Sequence, residues 1–332
     1  MGDIPLSFDF FKIPTFSGIN DTPREPTAEL AGNGSHVIAR YNSLIDKLIE
    51  FEESYDWRFS FLANKLKTLL YNTVWYVDSI NGDDSNDGLD VSRPLKTLKT
   101  ACEIAVSHSN PNSYARRIAL GNGNFEGCEL PGFIPTNNQD IIYIQSVADN
   151  PENTTIVGDT ALAHCSPGLY RLRSVRIKPS STSGTCLFIN NAHLQLENVI
   201  FGQINQQSHI HIEAHNHSLV EVVSNYKIEG SIYKHHVFLD SLSFMDLSYN
   251  TSDTNRRAIE VSNYEGCQSS FIRLNRGSYL SCWNTSFPGS NEQTTGKKFL
   301  LTGNSTIDTA GKDINFFPGD EQGEFVQNSQ YF

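Results

Sequence analysis

The sequence predicts a mainly β chain built from stacked coils, led by a helical segment. Two observations predict the coils. From Val74 onward apolar and polar residues alternate in short runs, such as Tyr170-Arg171-Leu172-Arg173-Ser174-Val175-Arg176-Ile177, His193-Leu194-Gln195-Leu196 and Leu219-Val220-Glu221-Val222. Period two is the signature of a half-buried strand. The runs return roughly every 20–30 residues, with few Asn-Gly or Asp-Gly pairs of the kind that join hairpins. A coil that closes on itself cannot bury its inner face alone, so coils must stack and the last must be capped. The third observation is a heptad seam ahead of the strands. A jelly roll or sandwich is the competing all-β arrangement.

Residues 1–35 carry Pro5, Pro14, Pro23 and Pro26 with Phe8, Phe10, Phe11 and Phe16 between them. Such a segment is not one helix, and its aromatics call for a surface to pack on. We expect an arm that docks on a partner protein or a neighbouring copy. In residues 36–72, Ser35 is a fitting N-cap after Gly32-Asn33-Gly34. Val37, Tyr41, Leu44, Leu48, Phe51 and Tyr55 follow at spacings 4, 3, 4, 3, 4, an a/d seam. Phe59, Leu62, Leu66 and Leu69 form a second, offset seam. Ile38, Ile45 and Ile49 widen the first stripe, which suits three strands better than two. This is a helical trimerisation neck. Residues 73–290 hold the strands, and 291–332 a closing C-terminal β module. Within the strand region, Leu95, Leu98, Ala101, Cys102 and Ala105 stand at helical spacing, which predicts one short helix over Pro94–His108, placed to cap the first coil.

The chain has 332 residues, enough for two or three domains and a real core. It carries 25 Lys+Arg against 37 Asp+Glu, a net charge of -12. That argues against nucleic acid, whose phosphates need a basic footprint. No apolar run approaches the ~18 residues of a membrane span, and the first residues lack the basic and apolar regions of a signal peptide. Cys102, Cys128, Cys165, Cys186, Cys267 and Cys282 form no CxxC pair and read as reduced, mostly buried residues.

Trp75-Tyr76-Val77-Asp78-Ser79-Ile80-Asn81-Gly82-Asp83-Asp84-Ser85-Asn86-Asp87-Gly88-Leu89, then Pro94-Leu95-Lys96-Thr97-Leu98, resembles the opening of right-handed parallel β-helix proteins: an entry strand, a D-S-N-D-G turn, a P-x-x-T-[LI] step and a capping helix. Further on, Ser224-Asn225-Tyr226-Lys227-Ile228-Glu229-Gly230 and His235-His236 precede Trp283-Asn284-Thr285-Ser286-Phe287-Pro288-Gly289-Ser290. Thr295-Gly296-Lys297-Lys298-Phe299, Ser305-Thr306-Ile307-Asp308-Thr309-Ala310-Gly311, Phe317-Pro318-Gly319-Asp320 and Gln330-Tyr331 complete the series. In this order they resemble bacteriophage tail-fibre and tailspike proteins with a pectin-lyase-like shaft. The chain departs from the pattern at Pro288, at Phe317 and at Ser329. The resemblance covers about 75–332. It implies a right-handed parallel β-helix assembled as a homotrimer, docked on a phage tail protein through its N-terminal arm and facing host surface glycans. It implies a virion (tail) protein made in the host cytoplasm.

Two chemistries are open to the shaft. His209, His211, His215 and His217 share one parity with Glu213, so on a strand they point to one face while Ile210, Ile212 and Ala214 point inward. An H-x-H pair, His209 and His211, repeated around a three-fold axis would supply six imidazoles, enough for an octahedral transition metal such as iron. These are the candidate metal ligands. No other cofactor is expected. Glycan hydrolysis would need two carboxylates held ~5–10 Å apart. Glu197, Glu213, Glu221, Asp240, Asp246 and Glu260 are present, and nothing in the sequence singles out a pair. A lyase would want basic residues near a uronate; Arg171 and Arg173 share parity and Arg176 does not. No catalytic residue emerges, so adhesion is favoured over a polysaccharide hydrolase or lyase. Tyr226, Tyr233, Tyr249, Tyr264, Tyr279 and Trp283 are the aromatics available for stacking on sugar rings.

Overall fold

A computed structural model describes residues 73–108, 115–135, 140–180, 184–202, 210–229, 232–248, 257–262, 266–288 and 295–332. The chain divides at Thr68/Leu69, and every described residue belongs to the second unit. The expected arm (1–35) and neck (36–72) lie outside the described residues.

Every strand pairing among the described residues is parallel, which excludes the jelly roll and the antiparallel sandwich. Thr73–Val77 pairs with Arg116–Leu120, which pairs with Ile141–Ser146, and so on through Leu169–Arg173, His193–Glu197 and Leu219–Val222. These belong to a 10-stranded sheet, the first face, whose last strand is Gln330–Tyr331. The remaining strands form a 14-stranded sheet that turns a corner through the long strand Thr154–His164. The first half of that strand pairs with Arg176–Pro179, on the second face, and its second half with Thr185–Asn190, on the third. One turn therefore runs through His193–Glu197, Ile200–Phe201 and Ile210–His215 before re-entering the first face at Leu219. Side chains hydrogen-bonded across neighbouring turns are 24, 26 and 28 residues apart, the recurrence seen in the sequence. This is a parallel β-helix.

The core follows from the alternation. On the first face Ile142, Tyr170, Leu194, Val220, Met245, Leu280, Ile307 and Tyr331 occupy one register position on successive strands. On the third face Leu162, Leu187, Ile212, Val237, Ile272 and Phe299 do the same, and all six are buried. Parallel sheets are commonly covered on both sides. Here only the inner side is apolar, so the strands keep a period of two.

The predicted helix is present as α1, Leu98–Ser107, burying Leu98, Ala101, Cys102 and Ala105. The Thr97 hydroxyl accepts the Thr100 N–H at 3.2 Å. The Asp84 carboxylate accepts the backbone N–H groups of Lys96 and Thr97, both at 2.9 Å. The stretch 78–89, which includes the D-S-N-D-G turn, is a run of turns closed by their own acids: Asp78 on Ile80, Asp83 on Ser85 and Asp87 on Leu89. Gly88 has φ +69, and a Cβ there would meet the Leu95 side chain at 2.7 Å.

The corner from the third face to the first is a repeated device. Asn191, Asn216, Ser241, Arg276 and Asn304 have positive φ. A buried serine follows in most turns: Ser243 donates to Asp240 O at 2.7 Å, Ser278 to Asn275 O at 2.7 Å and Ser305 to Thr302 O at 2.7 Å. Ser329 donates to Val326 O in the same way. Thr295–Leu301, Thr306–Asp308, Glu324–Phe325 and Gln330–Tyr331 pair in parallel with the strands before them. The described part, 295–332, of the segment expected as a closing module (291–332) thus extends the same sheets.

Candidate functional site

The outward side of the first face carries two parallel rows of side chains. One row holds His193, Leu219, Phe244, Tyr279 and Thr306. The next holds Tyr143, Arg171, Gln195, Glu221, Asp246, Ser281 and Asp308. Strand register places these residues on neighbouring turns, ~4.8 Å apart at the backbone.

The second row is knitted by hydrogen bonds. Arg171 donates to Gln195 Oε1 at 2.8 and 2.6 Å and to Glu197 at 3.4 Å, with its guanidinium 5.2 Å from the centre of the Tyr143 ring. Gln195 donates to Glu221 Oε2 at 2.8 Å, and His193 Nε2 bonds the same carboxylate. The His193 and Gln195 bonds hold Glu221 below the usual carboxylate range although the group is partly desolvated. Asp246 accepts the Ser248 N–H at 2.7 Å. The Tyr279 hydroxyl donates to Asp308 at 3.0 Å. Desolvation, aided by that bond, pushes the Tyr279 phenol up to about 12. Asp308 is itself partly desolvated, yet the Ala310 N–H and the Trp283 and Tyr279 side chains hold its value down. Phe244 and Tyr279 lie ring on ring, centroids 5.2 Å apart and planes within 4°. Trp283, on the turn that follows Tyr279, is 47% exposed.

A second polar group sits at the corner of the third face. His215 contacts Glu213 at 2.9 Å and Asp240 at 3.4 Å, and Arg276 Nε donates to Asp240 at 2.6 Å. The Glu213 bond raises the His215 pKa. Glu213 is desolvated but held low by His215 and by Thr185, which donates at 3.1 Å. These groups are satisfied by one another, with Phe188 and Phe238 each 5.5 Å from the His215 ring.

The expected histidine row does not form as one outward face. His209 lies outside the described residues. His211 is fully buried. Its Nδ1 is 2.9 Å from His236 Nδ1, and its ring stacks on Phe201 with centroids 5.2 Å apart. His211 and Ile212 are both buried, and His211 falls between the register-paired positions Ile210 and Ile212; Cys186 and Leu187 are buried in the same way one turn earlier. Strict alternation therefore begins only at Ile212. The strand ends at His215, and His217 is a corner residue with φ 64. Among the described residues no group of three or more His, Cys, Asp or Glu is arranged to hold a metal ion.

Of the sequence-predicted carboxylates, register pairs Glu221 with Asp246 on the first face. Glu213 and Asp240 meet through His215. Glu260 and Glu229 flank Lys227 on the second face at 3.6 and 3.0 Å. Arg171 and Arg173 share Glu197, as their parity requires, and Arg176 turns to Glu229 and Glu152. Of the aromatics, Tyr226 is buried, donating to or accepting from His236 Nε2 at 2.6 Å; Tyr249 and Tyr264 lie outside the described residues. Tyr279 and Trp283 reach the outer surface. Sequence reasoning missed Phe244, whose only signal is its place in the recurring pattern of serine, outward residue, inward residue.

No protein-family model matches the chain, and none of the curated proteins does. Among solved structures the chain is similar to a pectin methylesterase from carrot, at 10% identity over 77% of this chain and 82% of that one, with a TM-score of 0.45. It is also similar to pectin methylesterase PemA from Erwinia chrysanthemi, at 10% identity over 79% of this chain and 89% of that one, TM-score 0.31. A GH136 lacto-N-biosidase from Eubacterium ramulus matches at 12% identity over 90% of this chain and 62% of that one, TM-score 0.34. The parallel β-helix is read from the strand register itself.

Proposed function

We propose that this chain is a homotrimeric phage tail fibre or tailspike that docks on the tail through residues 1–35 and adsorbs to the bacterial surface by binding envelope glycans along its first face. The observation that carries the glycan reading is the stacked Phe244–Tyr279 pair beside Glu221, Asp246 and Asp308. Rings offer large apolar area at low entropy cost, and carboxylates accept hydrogen bonds from sugar hydroxyls. The tail assignment rests on the ordered motifs of the C-terminal part and on the heptad seam. Weak contacts repeated on three copies would add through effective concentration. Binding of the labelled full chain to bacteria, before and after their surface polysaccharide is stripped, tests the adhesive role. Loss of binding on stripping, and on Phe244→Ala with Tyr279→Ala, is expected. Undiminished binding to stripped cells would refute it.

One observation favours a depolymerase as the second reading: Glu221 and Asp246 are register partners on adjacent strands, a backbone spacing close to the ~5–5.5 Å between the carboxyl groups of retaining glycosidases. Hydrolysis also requires one carboxyl kept protonated near neutral pH, whereas the bonds from His193 and Gln195 keep Glu221 ionised. Release of new reducing ends from envelope polysaccharide, absent in Glu221→Gln, would establish the enzyme instead.

A further inference from the structure

We infer that the glycan taken by the first face is uncharged, offering hydroxyl groups to the protein rather than carboxylates, sulfates or phosphates. The inference rests on the reading of that face as a glycan site and names its ligand class. Along one row, Glu221 and Asp246 stand on neighbouring turns, and Asp308 stands two turns beyond Asp246 with Ser281 between. An ionised carboxylate only accepts hydrogen bonds, and Glu221 and Asp308 are held ionised by the donors around them. A polyanion laid along this row would meet like charges turn after turn, and like-charge contacts across an interface are strongly disfavoured.

The nearby cations that would offset this are committed to other partners. Arg171 is spent on Gln195 and Glu197, and Arg173 on Glu197 and Asp149, all within or beside the row. The stretch that carries the aromatic platform, from Glu221 to Asp308, places no Lys or Arg in either outward row. The platform itself favours the same class. Phe244 and Tyr279 have planes parallel to within 4° and centroids 5.2 Å apart, stacked one on the other, so the pair offers ring edges and outer ring faces, apolar and uncharged, to the C–H groups of a sugar. The Tyr279 hydroxyl is already directed into Asp308, so what remains on offer around the rings is acceptor oxygen.

The test is direct binding of the full chain to bacterial O-polysaccharides and capsular polymers, an uncharged set against a uronate- or phosphate-bearing set, at low and physiological salt. Uncharged polymers should bind with little salt dependence and at least tenfold more tightly than acidic ones. Glu221→Gln combined with Asp246→Asn should weaken that binding about tenfold, the size of one lost charge-assisted hydrogen bond. Both positions are on the outer surface, and an unchanged circular dichroism spectrum and melting temperature verify that the variant is folded. Acidic polymers binding as tightly as uncharged ones, or the double variant binding uncharged polymers undiminished, overturns the ligand class while leaving a glycan site in place. If no polymer of either set binds, the underlying glycan reading falls with it.

Discussion

At the scale of single residues, the interior holds polar groups whose partners decide their worth. Arg116 is buried with its guanidinium 2.6 Å from Asp140, 3.0 Å from Ala105 O and 4.3 Å from the centre of the Phe133 ring. Breaking a buried pair by removing one member leaves an uncompensated charge, at a cost of about 3–5 kcal/mol. Asp140→Ala should therefore lower the unfolding free energy by about that amount in urea titration. Two buried histidines, His235 and His236, set a pH dependence. Burial lowers His236 to about 3 and His235 to about 4, from an ordinary 6.5. The unfolded chain then binds protons that the folded chain refuses, so stability rises with pH between those values and is lost as pH falls through the window. His215, raised by Glu213, acts in the opposite sense above 6.5. The urea midpoint should fall between pH 6.5 and pH 4, and His236→Phe should flatten that slope; a midpoint constant over this range would contradict the assignment.

At the scale of elements, the corner serines and α1 are the parts whose removal is most local. Ser278 lies buried at the corner and bonds the carbonyl three residues before it. Ser278→Ala should cost about 0.5–1.5 kcal/mol, one net hydrogen bond, measured as a shift in midpoint with an unchanged denaturant slope. Thr97→Ala removes the cap of α1 and a partner of Asp84, and about 1 kcal/mol is expected from the cap. These elements differ in how far the sequence reveals them. The α1 stripe and its Asp-rich approach are contiguous, so local spacing exposes them. The corner repeat, Ser218-Leu219-Val220, Ser243-Phe244-Met245, Ser278-Tyr279-Leu280 and Ser305-Thr306-Ile307, is equally present. It is hidden because the excursions between faces vary in length, so no fixed period brings it out. The histidine row fails for a related reason: parity holds only while a strand alternates regularly, and at His211–Ile212 two successive side chains are buried.

At the scale of the whole molecule, a solenoid couples each turn only to its neighbours. Deleting 193–218 would join Ala192 to Leu219, and His193 and Leu219 are register partners. One full turn is thereby removed with every ladder kept in phase, so the shortened chain should retain its β circular dichroism and a cooperative melt. Deleting 193–202 alone should abolish both, because it leaves a turn without its first two faces. The proposed homotrimer is a separate matter, checked by light scattering on the intact chain: a mass three times that of the chain is expected, and a monomer would remove the neck and the multivalent adhesion together.

What the sequence by itself determined is the alternation, the interval between turns, the capping helix and the preference for stacking over hairpins. Each is a local pattern, fixed by which side chains avoid water and which residues tolerate a turn. Only the tertiary structure decided which residues meet. Glu221 comes to stand over Asp246, Phe244 over Tyr279, and His211 against His236, because each pair is separated by a full turn whose length depends on its excursion. Parallel register, set by main-chain hydrogen bonds between turns, turns those distant positions into neighbours; no spacing along the chain encodes it.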